Sequence, residues 1–208
     1  MRTFNILTKP YDEFKAYKKA TVEIEEGFTV LIGCNGCGKS TLLNTMEDKL
    51  RELKIPVFSF DNLTEGGNHS MEESLFYNNL GMLAAQATSS EGENIHLNLG
   101  KTASKLGNFV RKNRSKEELW ILMDAIDSGL SIDNIIDFKK NLVDVVLEDN
   151  KDKKVYFIVS ANEYEMACGE KCFSVQDCKY VDIKNYEDYK KLILKTREWK
   201  KKQREEEE

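Results

Sequence analysis

The chain of 208 residues has the length of one domain, with room for a small addition. Its residues are 40% hydrophobic and 10% aromatic, which is enough for a core, and 32% are charged, with a net charge of −5. This acidic balance argues against a dedicated nucleic-acid binder, which usually carries an excess of Lys and Arg. The sequence has no apolar run that could cross a membrane and no secretory signal, so we expect a cytoplasmic protein without a membrane partner. The odd count of five cysteines fits reduced thiols there.

The pattern of apolar residues predicts strands that alternate with helices. Short apolar runs predict strands at Thr21–Ile24, Phe28–Ile32, Ile55–Phe60, Leu119–Met123 and Val155–Val159. Helical spacing predicts helices at Ser40–Leu53, Glu72–Ala87, Asn94–Lys112 and Ile132–Leu147. A hairpin is expected at Cys172–Val175 and Tyr180–Ile183, followed by a charged helix and tail over about 187–208. The sequence therefore predicts a single α/β domain over residues 1–208, with a mainly parallel sheet flanked by helices and a small C-terminal hairpin plus helix.

The stretch IGCNGCGKSTLL, Ile32 to Leu43, contains the Walker A phosphate loop Gly-x-x-x-x-Gly-Lys-Ser. The pattern lies between a predicted buried strand and a helix, which is the context of a P-loop NTPase. Its glycines let backbone N–H groups turn toward phosphate oxygens, and the helix N-terminus adds a partial positive charge. Lys39 supplies a full charge for the β- and γ-phosphates, and the Ser40 hydroxyl is a candidate Mg²⁺ ligand. The residues predicted to bind nucleotide here are Gly33, Asn35, Gly36, Cys37, Gly38, Lys39, Ser40 and Thr41.

The same stretch contains Cys34-x-x-Cys37, a spacing found in metal and redox sites. A zinc site needs four ligands, usually from two such pairs, and Cys168, Cys172 and Cys178 form no second pair. The favoured interpretation is that both cysteines fill variable positions of the phosphate loop. The alternative is that Cys37, close to a helix N-terminus, has a lowered pKa and is sensitive to oxidation.

The loop spelling Gly-x-Asn-Gly-x-Gly-Lys-Ser-Thr resembles the ABC-type ATPase superfamily, including its chromosome-maintenance and DNA-repair branch. The segment Ser89-Ser90-Glu91-Gly92-Glu93 is similar to the signature motif of that superfamily, with Ser90, Gly92 and Glu93 at its Ser, second Gly and Gln positions. The resemblance implies that these residues bind the γ-phosphate of ATP held by another subunit. The alternative is that Ser90 and Glu93 form an ordinary capping box.

The segment Leu119–Asp124 resembles the Walker B strand of the family, which implies that Asp124 holds Mg²⁺ directly, or through its water shell or Ser40. The resemblance places Ser128–Ser131 in the D-loop, which lines the dimer seam. Ala125 stands where the family has the glutamate that polarises water, and a methyl group cannot accept a proton. Three explanations are open: an engineered substitution that traps the ATP state, a natural switch with weak turnover, or replacement of the glutamate by Asp127. For Asp127 itself, a solvated loop carboxylate is the favoured interpretation.

Two further positions depart from the family pattern. Asn162 stands where the family has a histidine that senses the γ-phosphate, so it is a candidate catalytic residue that can donate a hydrogen bond without carrying charge. The alternative is that Asn162 only opens a short helix at Glu163–Ala167. The usual glutamine after the Ile55–Phe60 strand is absent, and Asp61 or Asn62 is the candidate replacement as a Mg²⁺ or water contact.

Together these motifs imply an ATP-binding ABC-type ATPase that forms a head-to-tail homodimer around ATP and Mg²⁺. Binding and hydrolysis would act as a conformational switch, with hydrolysis impaired by Ala125. The overall resemblance is to small stand-alone ABC-like ATPases of phage and bacteria. The alternatives are a non-hydrolysing switch that recruits an effector protein or DNA and, less favoured, a transporter subunit or a small-molecule kinase. A basic cluster suits DNA phosphates, although a solvated helix face is the favoured interpretation: Lys101, Lys105, Arg111, Lys112, Arg114 and Lys116.

Overall fold

The computed structural model describes residues 1–10, 14–62 and 91–206, and the side chains of all of these except 91–99. The predicted helix at Glu72–Ala87 and the signature residue Ser90 lie outside these ranges. Gly92 and Glu93 lie in the first turn of a described helix, but their side chains are not described.

Six strands form one sheet, and five of them run parallel. The strands are β3 (Gly27–Ile32), β4 (Val57–Asp61), β5 (Glu118–Asp124), β6 (Lys154–Ser160), β7 (Lys171–Ser174) and β8 (Lys179–Val181). Their order is β4-β5-β6-β3-β7-β8, and only β8 is antiparallel to its neighbour β7 within this sheet. The central strands are apolar almost throughout because both faces of the sheet are covered. The structure is therefore a mixed α/β fold with a mainly parallel sheet, which is consistent with a P-loop NTPase, and it contains the expected C-terminal hairpin.

The described helices cover both faces of this sheet. They are α1 (Lys39–Glu52), α2 (Glu91–Lys112), α3 (Ile132–Phe138), α4 (Asp144–Asp149), α5 (Tyr164–Ala167) and α6 (Tyr186–Glu205). The single helix predicted at Ile132–Leu147 is wrong in detail, because a π-helical turn at Lys139–Val143 separates α3 from α4. At this turn the Lys139 ammonium donates to the Cys168 carbonyl at 2.9 Å and pairs with Glu170 at 2.8 Å, which ties the wide turn to the segment after α5. Over the described ranges, no helix combines the length and apolar character needed to cross a membrane.

A two-stranded ribbon near the N-terminus lies on one face of the sheet. Its strands are β1 (Arg2–Asn5), which the sequence did not predict, and β2 (Thr21–Ile24), which pairs with β1 rather than with β3. The Arg2 guanidinium donates to both carboxylate oxygens of Glu118 at 2.9 and 2.7 Å, and Phe4 packs edge-on against Trp120 at 5.3 Å between ring centres. These contacts fasten the ribbon to β5.

Alternate residues of each strand enter two separate cores. Leu31 and Leu122 pack with the ribbon and α1, whereas Val30 and Met123 pack with the helices of the other face. This two-sided burial fixes the register of the strands, because a slip of one residue would exchange the two faces. Because β3 to β7 run parallel, their carboxyl ends lie at one edge of the sheet, where the loops that follow them meet.

Candidate nucleotide-binding site

The phosphate loop connects β3 to α1 at that edge. Its first turn is closed by the Cys37 N–H, which donates to the Cys34 carbonyl at 3.1 Å, with Gly36 in the left-handed region at a φ of 66°. Gly38 also has a positive φ, of 99°, and a Cβ at this position would lie 2.8 Å from the hydroxyl oxygen of Tyr17. Tyr17 donates from that hydroxyl to the Gly38 carbonyl at 2.7 Å. The glycine at 38 is thus required both by the backbone conformation and by the close approach of Tyr17.

Lys39 begins α1 inside the curve of this loop. Its side chain is largely buried, and the ammonium donates to the Gly33 carbonyl at 2.9 Å. The N-terminus of α1 has no side-chain cap and no acidic residue in its first turn. The helix dipole and Lys39 therefore bring positive charge to the same point, which favours an anion there.

The ends of β4 and β5 bring two carboxylates to the same edge. Asp61 and Asp124 are paired in register as the last residues of the two strands. Asp124 accepts a hydrogen bond from the Ser160 hydroxyl, and Ser160 accepts in turn from the Ala125 N–H at 2.8 Å. Ser160, at the end of β6, therefore fixes the orientation of Asp124, a role that the sequence did not indicate.

The side-chain amide nitrogen of Asn62 binds the segment after Asp124 and is not a metal ligand. Its side-chain N–H group donates to the carbonyls of Ala125 and Ser128, at 3.1 Å each. Ala125 has a positive φ of 50°, which is a strained conformation for alanine. The bond from Asn62 to its carbonyl and the bond from its N–H to Ser160 hold it there. The structure thus gives Asn62 a supporting role for the segment after Asp124, and Asp61 is the residue of the two that stands beside Asp124.

The interpretation of Asp127 as a solvated loop carboxylate is wrong. Its side chain is 1% exposed, and its Oδ2 accepts from the N–H groups of Asn162 and Glu163 at 2.6 and 2.7 Å. Asp127 therefore holds the turn that leads into α5, and the N-cap residue of α5 is Glu163 rather than Asn162. The Oδ1 of Asp127 has no hydrogen-bond partner among the described residues, and burial raises the pKa of this carboxyl above its ordinary value. Asp127 does not line the cleft that is described in the next paragraph, so it is poorly placed to replace the missing glutamate.

These elements enclose a cleft of about 410 Å³. The sequence-predicted residues that line it are Asn35, Gly36, Gly38, Lys39, Ser40, Thr41, Asp124, Ala125 and Asn162. Pro10, Phe14 and Ala16 add an apolar wall that sequence reasoning missed, because the segment before β2 has no motif. Ser40 and Asp124, the proposed ligands of Mg²⁺, both face this cleft, so its polar lining fits a nucleotide with its metal. Gly33 and Cys37, which were also predicted to bind nucleotide, are not among the residues that line this cleft.

The two loop cysteines differ in ionisation. A hydrogen bond donated by the Cys37 thiol is the main cause that lowers the pKa of Cys34 to about 6; Thr196 and the positive charges of Lys200 and Lys39 add to it, against the effect of burial. The pKa of Cys37 is raised, because its thiol is the donor of that bond and is buried. The expectation that Cys37 has a lowered pKa is therefore wrong, and the acidic thiol is that of Cys34.

The charged helix α6, to which the sequence assigned no chemistry, packs directly on the phosphate loop. The buried Thr196 hydroxyl accepts from the Cys34 N–H at 3.0 Å, and the Lys200 ammonium donates to the Asn35 carbonyl at 2.9 Å. Two turns before Thr196 on the same side, the Tyr189 hydroxyl donates to the Asn162 carbonyl at 2.7 Å. The helical spacing of Tyr189, Ile193, Thr196 and Lys200 is the signal that could have revealed this face.

Comparison with known proteins gives one short match. No protein-family model matches the chain. Over 41 residues, or 19% of the chain, it is 54% identical to the ferric enterobactin transport ATP-binding protein FepC of Escherichia coli (strain K12). The match covers 15% of that protein, so the chain spans much less than two thirds of it. The match supports the interpretation of the chain as similar to ABC-type ATP-binding proteins. It distinguishes no branch of that superfamily.

Proposed function

We propose that this chain is an ABC-type ATPase core that binds ATP with Mg²⁺ in the cleft of about 410 Å³. The observation that carries the proposal is the buried ammonium of Lys39, held inside a glycine loop at the uncapped N-terminus of α1 and facing the same cleft as Asp124. This arrangement concentrates positive charge at a helix N-terminus where a triphosphate would lie.

The lining residues then divide the binding of ATP among them. Lys39 and the loop N–H groups would hold the phosphates, and the apolar wall that includes Phe14 suits the base. Ser40 and Asp124 would hold Mg²⁺, which when bound neutralises charge on the phosphate oxygens. Ser160 keeps Asp124 oriented through its hydroxyl. Asn162 faces the cleft from the loop after β6 and is the candidate donor to the terminal phosphate.

Hydrolysis would be slow in this chain. Ala125 offers no group that accepts a proton from water. Among the described residues that line the cleft the only carboxylate is Asp124, which is engaged by Ser160, and Asp127 is committed to the N–H groups of Asn162 and Glu163. The nucleotide-bound state would therefore persist, which suits a switch.

The partner would be a second copy of the chain, arranged head to tail. The loop residues Asn35, Gly36 and Ser40 are exposed at the mouth of the cleft, so another molecule could contact the phosphates there. The first turn of α2, with Gly92 and Glu93, would supply the helix N-terminus of the partner's signature. The binding energy of ATP would then stabilise the dimer.

The test is molecular sizing of three proteins with and without ATP and Mg²⁺: the chain itself, its Ala125→Glu variant and its Lys39→Met variant. We expect an ATP-dependent dimer for the unchanged chain. The Ala125→Glu variant should hydrolyse ATP and return to monomer, and the Lys39→Met variant should remain monomeric. A dimer whose Ala125→Glu variant shows no turnover would favour the non-hydrolysing switch. Failure of the unchanged chain to bind ATP would overturn the proposal.

A further inference from the structure

A second cleft, of about 450 Å³, lies behind the phosphate loop, on the side of α6. Gly33, Cys34 and Asn35 form its floor, and Arg197 and Lys200 of α6 bring two positive charges to its wall. Cys34 thus lines a cleft that attracts anions, and it is 6% exposed.

Cys34 and Cys37 are spaced to form a disulfide. The hydrogen bond from the Cys37 N–H to the Cys34 carbonyl closes a four-residue turn, with Gly36 as its third residue. The end residues of such a turn have Cα atoms within about 7 Å, which overlaps the span of about 4.4–6.8 Å that a disulfide bridges. Both cysteines are free, and both belong to the same buried core cluster.

The surroundings of the two thiols assign them different roles. Cys34 carries the lowered pKa and opens to the cationic cleft, so it is the thiol that attacks. Cys37 is 1% exposed, and its sulfur lies 2.6 Å from where a Cβ on Gly33 would stand. Cys37 is therefore closed to outside reagents but adjacent to Cys34, which is the position of a resolving cysteine.

We infer that Cys34 and Cys37 form a redox-active dithiol site that is oxidised by small anionic disulfides, and that the resulting intrachain disulfide closes the phosphate loop to nucleotide. The second half of this inference rests on the proposed function.

The oxidation balances as two thiol–disulfide exchanges with a reagent such as oxidised glutathione. The Cys34 thiolate attacks one sulfur of the reagent, the sulfur–sulfur bond breaks, and one glutathione leaves as a thiolate that takes up a proton. Cys37 then loses its proton and attacks the Cys34 sulfur, which releases the second glutathione thiol. Two protein thiols are oxidised and one small disulfide is reduced to two thiols.

The disulfide would disturb nucleotide binding because the cysteines belong to the loop that surrounds the phosphates. A sulfur–sulfur bond of about 2.05 Å is much shorter than a contact between two thiols, so it draws the loop residues together. A binding site tolerates a displacement of about 0.5 Å. Cys37 directly precedes Gly38 and Lys39, which line the cleft, so a displacement of Cys37 would move them. By linkage, bound nucleotide should protect both cysteines from oxidation by the same factor by which oxidation weakens the binding of nucleotide.

The experiment treats the full chain with oxidised glutathione, maps its thiols by mass spectrometry and measures ATP affinity before and after. We expect a Cys34–Cys37 disulfide, an affinity for ATP reduced about tenfold or more, as for the loss of one charge-assisted bond, and full recovery with dithiothreitol. The Cys37→Ser variant should stop at a glutathione adduct on Cys34, and the Cys34→Ser variant should form neither product. Cys168, a half-buried thiol away from the loop, supplies the control variant Cys168→Ser, which should oxidise like the unchanged chain.

Each part of the inference can fail separately. Glutathione on Cys168 with none on Cys34, or no linkage between the loop cysteines, overturns the dithiol site. A disulfide that leaves ATP affinity unchanged overturns the closing of the loop. If the reduced chain binds no ATP, the proposed function and the closing of the loop fail together, while the disulfide mapping still decides the dithiol site.

Discussion

Replacement of Thr196 by valine should weaken the phosphate loop from behind. Thr196 is fully buried, and its hydroxyl accepts from the Cys34 N–H at 3.0 Å and donates to the Ile193 carbonyl at 2.8 Å. Valine has nearly the same shape but no hydroxyl, so the buried Cys34 N–H would lose its acceptor. An unsatisfied buried donor costs about 1–3 kcal/mol. In a domain of this size each kcal/mol lowers the melting temperature by about 2–4 °C, so we expect a decrease of about 2–12 °C.

The Thr196→Ser variant is the matched control, because it keeps the hydroxyl and loses one buried methyl group, worth about 1 kcal/mol. Thermal unfolding gives the stability of both variants, and titration with ATP and Mg²⁺ gives their affinity. We expect Thr196→Val to bind ATP more weakly than the unchanged chain and Thr196→Ser to bind it equally. Equal affinity of the two variants, or a valine variant as stable as the unchanged chain, would refute the reasoning that Thr196 supports the loop.

Three other perturbations test separate parts of the molecule. The pKa of Asp127 is raised by burial above 3.8 in the folded chain, so its contribution to stability is complete below 3.8 and is lost as the pH rises through the folded-state pKa. Thermal unfolding at a series of pH values should therefore show Asp127→Asn gaining stability relative to the unchanged chain as the pH rises; a constant or falling difference would contradict this. Lys39→Met should lower ATP affinity about ten- to hundredfold in a binding titration, because it removes a charge-assisted bond, with the circular dichroism spectrum unchanged. Unaltered affinity would contradict the role of Lys39. For the basic cluster, we expect no mobility shift of duplex DNA at low salt with ATP present, since its exposed residues suit a solvated face; a shift abolished by Lys105→Glu with Arg111→Glu would show DNA binding instead.

The sequence predicted the parts of the fold that are encoded locally. The strand that ends at Ile32, the loop and the helix that opens at Lys39 form one continuous pattern, and their neighbours in the sheet are apolar runs of similar length. The placement of Asp124 at a strand end and of Asn162 after the next strand follows from the same rule. The cleft that contains these residues is therefore largely a consequence of strand order in a parallel sheet.

The parts that the sequence did not predict depend on contacts between distant residues. Thr196 touches the phosphate loop across 162 positions of the chain, and no local pattern reports such a pairing. Asp127 is buried where it accepts from the backbone of a turn 35 residues away, against the general tendency of carboxylates to face water. β1 has four residues of mixed polarity, and it forms only because β2 and Trp120 provide a partner and a surface.

The support of the phosphate loop by α6 also sets an order of events during synthesis. The ribosome adds about 5–20 residues per second, so the 162 positions between Cys34 and Thr196 take about 8–32 s to make. Throughout that interval the loop has been translated but the hydroxyl that accepts from the Cys34 N–H does not yet exist, and β6 and β7, which flank β3, also come later in the chain. A nascent chain would therefore acquire a finished nucleotide cleft only after α6 has left the ribosome, which makes ATP binding a late step in the biogenesis of this protein.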